Sequence, residues 1–200
     1  MTLIDFDGTI VDLWPRYHGV FCALTGARVD LETYRRAKQI HKRDSDLAGY
    51  LDVTLPVDYF PQKAVLLEDP AFLSLDRLLL PADKLLRFIE ERDARILTAR
   101  RRPDQFLWEL DYLGLSQLRD RSVCVSGPKA DWVAVNAPEA GVIIGDDVRD
   151  LQVIATSRLE AVVVQTGLCT AEDFRGTDLP HSLMRSLEEY IDRGTTNGIS

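Results

Sequence analysis

Asp5 and Asp7 stand two residues apart in TLIDFDGTIVD (2–12). Thr98 ends the apolar run ARILT, Lys129 follows SVCVSGP, and Asp146, Asp147 and Asp150 follow GVIIG. Carboxylates that converge repel one another unless a hard cation sits among them, and oxygen-only ligation suits Mg²⁺. Asp5 then reads as a nucleophile toward phosphorus. Thr98 and Lys129 read as partners of phosphoryl oxygens as charge builds on them. Asp7 can act as general acid and base. Gly8 lets the chain bend without a Cβ clash, and Thr9 can cap the turn. The D-G pair alone is ordinary turn chemistry, so the weight rests on the set.

Such a set needs elements that bring it together. Five apolar runs read as buried parallel strands: TLIDF (2–6), ARILT (94–98), SVCVS (122–126), GVIIG (141–145) and EAVVVQ (160–165). Helical spacing marks PADKLLRFIEER (81–92), RPDQFLWELDYLGL (102–115) and DVRDLQVIATSRL (147–159). Alternating strand and helix points to an α/β sheet with right-handed crossovers. Up to GVIIG, each strand delivers a polar group at its carboxyl end, where open α/β sheets bind ligands.

One stretch breaks the alternation. Between Asp12 and about Leu80 no buried strand is expected. Helices are expected over Arg16 to Leu24, Leu31 to Lys42 and Asp44 to Leu51, with TLPVDYFPQ (54–62) as a loop. The organisation expected is a core of 1–13 and 81–200 with a small, mostly helical cap domain inserted over 14–80. The terminal TTNGIS is expected to fray.

The chain has 200 residues and a net charge of −8, which argues against a general affinity for nucleic acid or an anionic membrane. A small anionic substrate remains compatible, because local cations and a metal can overcome the global sign. No apolar run approaches the ~20 residues of a membrane span, and no signal peptide is expected from the first residues. Three scattered cysteines, Cys22, Cys124 and Cys169, fit a reducing compartment, so a cytoplasmic location is expected.

DFDGTIVD, then Thr98 in ILTAR, then Lys129 in SGPKADWV, then GDDVRD resembles the four-motif signature of the haloacid dehalogenase-like superfamily in order and spacing. The resemblance implies a Rossmann-like three-layer core with a parallel sheet and a cap inserted after the first motif. It implies a phosphatase that forms an aspartyl-phosphate on Asp5. Asp7 would protonate the leaving oxygen and then activate water. Mg²⁺ would be held by the Asp5 carboxylate, the Asp7 carbonyl and Asp146, with Asp147 or Asp150 as a further ligand. The substrate implied is a small phosphorylated metabolite, of a kind the sequence does not specify.

Alternatives separate on named residues. Dehalogenases of the superfamily lack the second aspartate, which expelling halide does not need, and Asp7 is present. Membrane pumps of the superfamily would need spans. Phosphomutases keep Asp7 and a cap, and so remain the nearest rival. A retired, non-catalytic phosphate- or metal-binding module would be expected to lose one of the motif residues. Gly8 and Thr9 in the first motif, Ala99 and Arg100 after the second, and Trp14, Tyr17 and His18 past the first are candidates for substrate contact. The last three also read as core of the cap, and for Trp14 that is the preferred reading. The basic run Arg35, Arg36, Lys38, His41, Lys42 and Arg43 reads as a solvated helix face, and His181 as a structural residue opening the last helix.

Overall fold

The computed structural model describes residues 1–196. The chain divides into two compact units. One is Met1–Asp12 with the chain from Arg77 on, and the other is Leu13–Asp76. In chain order, β1 (Thr2–Ile4) and β2 (Val11–Asp12) open the first unit. The second unit holds α1 (Trp14–Thr25), α2 (Leu31–Ile40), α3 (Asp44–Tyr50), α4 (Tyr59–Leu66) and α5 (Pro70–Leu73). The first unit resumes with β3 (Arg77–Leu78), α6 (Ala82–Glu91), β4 (Ala94–Thr98), α7 (Pro103–Tyr112) and a 3₁₀ turn at Ser116–Arg121. It continues with β5 (Ser122–Cys124), α8 (Lys129–Asn136), β6 (Val142–Gly145) and α9 (Val148–Leu151). Then come β7 (Glu160–Val164), α10 (Ala171–Arg175), β8 (Ser182–Met184) and α11 (Leu187–Thr196).

The main sheet runs β5-β4-β1-β6-β7-β8, every neighbouring pair parallel. Its strands are apolar on both faces, as a sheet covered by helices on each side requires. Ile4, Ile96, Ile144 and Val162 face one cluster with Leu85, Phe88 and Ile89 of α6, Phe106 and Leu110 of α7, and Leu187 and Ile191 of α11. Leu3, Leu97, Ile143 and Val163 face the other, with Val133 of α8, Leu151 of α9 and Phe174 of α10. Side-chain alternation along each strand therefore sorts the helices into two layers around the sheet. This is an α/β Rossmann-like core.

The second unit is helical. Asp30 caps α2 by accepting from the Thr33 amide at 2.9 Å. Trp14, Phe21, Tyr34, Leu47, Tyr59 and Leu73 are buried, with Phe21 against Tyr34 at 5.3 Å and edge-on to Tyr59 at 6.5 Å. Lys38 and Lys63 both reach the buried Asp44, at 2.8 and 2.5 Å. Arg16 pairs with the fully buried Asp76 at 3.2 Å.

Four expectations are corrected. The stretch 54–62 is not all loop: α4 begins at Tyr59. Pro61 falls in the first turn, where amides have no intrahelical acceptor, so it costs the helix little. The helix expected over 147–159 ends at Leu151. Beyond it the amides of Val153, Ile154, Ala155 and Thr156 reach back three residues, not four, and Ser157 Oγ bonds Val153 O at 2.7 Å. Side-chain competition of that kind, with β-branched residues, shortens a helix. His181 precedes β8, and the last helix begins at Leu187. Lys38 is not on a solvated face, because Asp44 draws it inside. The expectation for TTNGIS falls mainly on 197–200, outside the described residues.

Burial works against the ionised Asp44, yet Lys63 and Lys38 outweigh it and hold its carboxyl below the usual carboxylate range. A depressed folded value means the stabilisation is present above the unfolded pKa of ~3.9 and is lost as pH falls through the folded value. Asp44→Ala should lower unfolding free energy by about 3–5 kcal/mol at neutral pH, the usual cost of breaking a buried pair. Urea titrations of the full chain check this, and the wild-type and variant midpoints should converge in acid.

Candidate active site

β1 lies at the middle of the sheet, between β4 and β6. The chain builds outward on one side through β4 and β5, then returns to place β6 on the other. Such a reversal opens a crevice at the carboxyl ends of the strands. Asp5 stands at that end of β1, its amide bonded to Ile144 O of β6 at 2.8 Å. The chain then turns tightly, with Phe6 O accepting from the amides of Ile10 and Val11 at 2.9 and 3.1 Å. Gly8 sits at φ 76° in this turn. A Cβ there would meet Asp146 Oδ2 at 2.6 Å and the Gly167 backbone at 2.9 Å. Glycine is therefore required twice, by the backbone angle and by the closeness of Asp146. Thr166 Oγ1 donates to Gly8 O at 2.5 Å and so ties the turn to the segment after β7. Thr9 is fully buried.

Asp5, Asp146 and Asp150 each offer a carboxylate oxygen, all within 4.8 Å of one another. Lys129, at the start of α8, reaches Asp5 Oδ1 at 2.5 Å and Asp150 Oδ1 at 2.7 Å. Leu168 N donates to Asp146 Oδ2 at 3.1 Å, and the Gly167 backbone lies so close to Asp146 that a Cβ there would clash. Burial pushes the Asp5 carboxyl up to about 7; Asp150 and Asp7 add to this, and Lys129 pulls the other way. Asp146 is also raised well above its ordinary value, first by burial and then by the charges of Asp5, Asp150 and Asp147. Burial disfavours the Lys129 ammonium, but Asp150 and Asp5 outweigh it and hold the group protonated. Three buried carboxylates against one ammonium form a donor set that fits a hard, oxygen-seeking cation.

Asp147 lies apart from this cluster. Its side chain caps α9, accepting from the Arg149 amide at 2.8 Å, and the Arg149 side chain holds both its oxygens at 3.0 and 2.7 Å. Asp150 closes the capping box by accepting from the Asp147 amide at 3.2 Å. The sequence left these two acids equivalent, whereas the cap separates them. Thr98 is buried at the end of β4, and its carbonyl accepts from Val125 N at 2.8 Å. Ala99 is exposed.

Arg100 is buried and grips Asp7 with two bonds, Nε to Oδ2 at 2.5 Å and Nη2 to Oδ1 at 2.7 Å. Nη2 also reaches Glu109 Oε2 at 2.8 Å, and Glu109 is fully buried on α7. Glu109 was not among the candidates. Its signal was an acid on the apolar face of a helix, three residues after Phe106 and beside Leu110, close in sequence to three arginines. Trp14, Tyr17 and His18 lie on α1 in the other unit. Trp14 is buried with the Arg35 guanidinium over its ring at 5.4 Å, and His18 Nε2 bonds Val29 O at 2.7 Å.

No family model and no curated protein matches the sequence. Solved structures do match, over nearly the whole chain. A haloacid dehalogenase-like hydrolase from Streptococcus pneumoniae is 17% identical with a TM-score of 0.65, over 94% of each chain. A HAD family hydrolase from Deinococcus radiodurans R1, solved with phosphate and sodium, is 16% identical with a TM-score of 0.66, over 98% of this chain and 95% of that one. Protein tyrosine kinase A of Mycobacterium tuberculosis is 19% identical with a TM-score of 0.66, over 96% of each. The sheet order, the acidic crevice at the end of β1 and these likenesses agree: the chain has the fold of the haloacid dehalogenase-like superfamily.

Proposed function

We propose that this chain is a Mg²⁺-dependent phosphatase of the haloacid dehalogenase-like superfamily, which hydrolyses a small phosphorylated metabolite through an aspartyl-phosphate on Asp5. The observation that carries the reading is the buried cluster at the end of β1, where Asp5 lies 2.5 Å from Lys129 and beside Asp146 and Asp150. Two similar folds, from Deinococcus radiodurans R1 and Rhodobacter sphaeroides, have been solved with phosphate bound.

Asp5, Asp146 and the Asp7 carbonyl would hold the cation, with Asp150 close by. When bound, Mg²⁺ supplies positive charge that lets an anionic phosphoryl group approach an anionic nucleophile. Lys129 favours the ionised, attacking form of Asp5. An Asp5 oxygen bonds to phosphorus as the ester P–O bond breaks, and Asp7 gives its proton to the leaving oxygen. Thr98 and Lys129 hold the phosphoryl oxygens. Asp7, now ionised, takes a proton from water as that water attacks phosphorus, releasing phosphate and restoring Asp5. The helical unit would act as the cap that selects the substrate. None of the three cysteines is in a disulfide, and no helix among the described residues is long and apolar enough to cross a membrane. Both fit a cytoplasmic enzyme.

Asp5→Asn removes the nucleophile and nearly preserves the shape. Turnover of an aryl phosphate should fall to background while the circular dichroism spectrum is kept. Retained activity above a few per cent of wild type sinks the covalent reading.

The metal separates the acids. Excess chelator should abolish activity, Mg²⁺ should restore it, and Ca²⁺ should restore it poorly, because its larger and looser shell misplaces the phosphoryl group. Asp146→Ala should raise the Mg²⁺ requirement steeply. Asp147→Ala should change it little, because that side chain serves the α9 cap and Arg149. The reverse order in a Mg²⁺ titration assigns the ligand to Asp147.

A further inference from the structure

Three arginines follow Thr98, and only the first is buried. Arg101 and Arg102 are exposed. Arg100 crosses under the Asp7 turn, its guanidinium carbon 5.9 Å from the Phe6 ring centre. Phe6 packs edge-on against Phe106 at 4.9 Å, and Phe106 lies one helical turn before Glu109. The planar fork thus has a floor of aromatic carbon, an anchor in Glu109 and a load in Asp7. The Asp7 side chain is a quarter exposed, whereas those of Arg100 and Glu109 are 5% and 0% exposed.

We infer that Arg100, anchored by Glu109, is a positioning residue that fixes the Asp7 carboxyl for proton transfer and does not contact substrate. The inference rests on the phosphatase reading above. A carboxyl on Cβ turns about two bonds, and Asp7 sits on a turn at the mouth of the site. Two parallel N–H to O bonds fix both its place and its plane, which one point charge cannot do. Each carboxyl oxygen has two lone pairs, so accepting a bond from Arg100 does not bar Asp7 from carrying a proton. In the first half-reaction that proton goes to the leaving oxygen as the Asp5–phosphorus bond forms and the ester bond breaks. Glu109 matters because it shares with Asp7 the balancing of a buried guanidinium.

The test reads leaving-group dependence. A leaving oxygen of low basicity departs without a proton, and one of high basicity does not. The value of kcat/KM covers the steps through cleavage of the ester bond. The probes are substituted phenyl phosphates, from nitrophenyl to methoxyphenyl, assayed with saturating Mg²⁺. Wild type should show a shallow dependence on leaving-group basicity. The double variant Arg100→Met with Glu109→Leu replaces both buried charges with apolar groups, so neither is left alone. It should keep near wild-type kcat/KM on the nitrophenyl ester and lose roughly 10²-fold on the most basic leaving group, the lower end of what general acids contribute. Arg100→Lys keeps the charge beside Glu109 but loses the fork. It should show the same tilt to a smaller degree, and it serves if the double variant does not fold. In an Asp7→Asn background, Arg100→Lys should add nothing to the slope.

A parallel loss on every ester with a raised KM overturns the inference and returns Arg100 to direct substrate contact. An active wild type whose slope neither variant changes overturns the inference and leaves the phosphatase reading standing. A wild type inactive on all of the esters overturns both.

Discussion

Placing Asp5, Asp146 and Asp150 together out of water is the constraint on which this molecule turns. Burial is the largest cause that raises the Asp5 and Asp146 carboxyls, and the neighbouring acids raise both further. Such a cluster costs stability and is kept only if something else holds it. Here the sheet does. Asp5 and Asp146 each follow directly on an apolar strand whose side chains are locked in two core layers. The parallel register that pairs Ile4 with Ile144 leaves both acids at the same end of neighbouring strands. Lys129 relieves part of the repulsion from α8, and the α9 cap orients Asp150 from below. The site is therefore the place where packing elsewhere is spent, as expected of function on a stable scaffold.

Much of this was legible from residue types. Parallel strands need long apolar runs, and GVIIG and ARILT announce themselves. The polar residue after each run was legible too, because strand ends in this class of sheet share one edge. What was hidden depends on distance across the sequence. Asp147 and Asp150 are both acids five residues or fewer past Gly145, and only the cap geometry shows that Arg149 takes one while the cluster takes the other. The same holds for Arg100. Three adjacent arginines look alike in sequence, and what distinguishes the first is a fully buried glutamate on the following helix.

The helical unit was read less well, for a physical reason. Its helices are short and carry prolines, and Pro61 and Pro70 fall where a helix begins, so the residue that looks like a breaker is a starter. Its interior is also partly ionic, with Lys38, Lys63 and Asp44 inside, and hydrophobic periodicity is blind to charges that neutralise one another. Buried ion pairs contribute little net stability compared with apolar packing, but removing one partner strands the other charge.

Fold and chemistry also separate here. The matching structures include hydrolases and a protein called a tyrosine kinase, all at under a fifth identity. A shared sheet at that distance fixes where a site can form and leaves open what it does. The choice falls to a few side chains. A nucleophilic carboxylate without a neighbouring acid can expel only leaving groups that need no proton. A second carboxylate two residues on widens that range to alkoxides, but only if it is held still at the mouth of the site. The Arg100 fork, anchored by Glu109 on α7, holds both Asp7 oxygens, and in the proposed mechanism it would align that acid, while the phosphatase reading itself rests on the cluster of Asp5, Asp146 and Asp150.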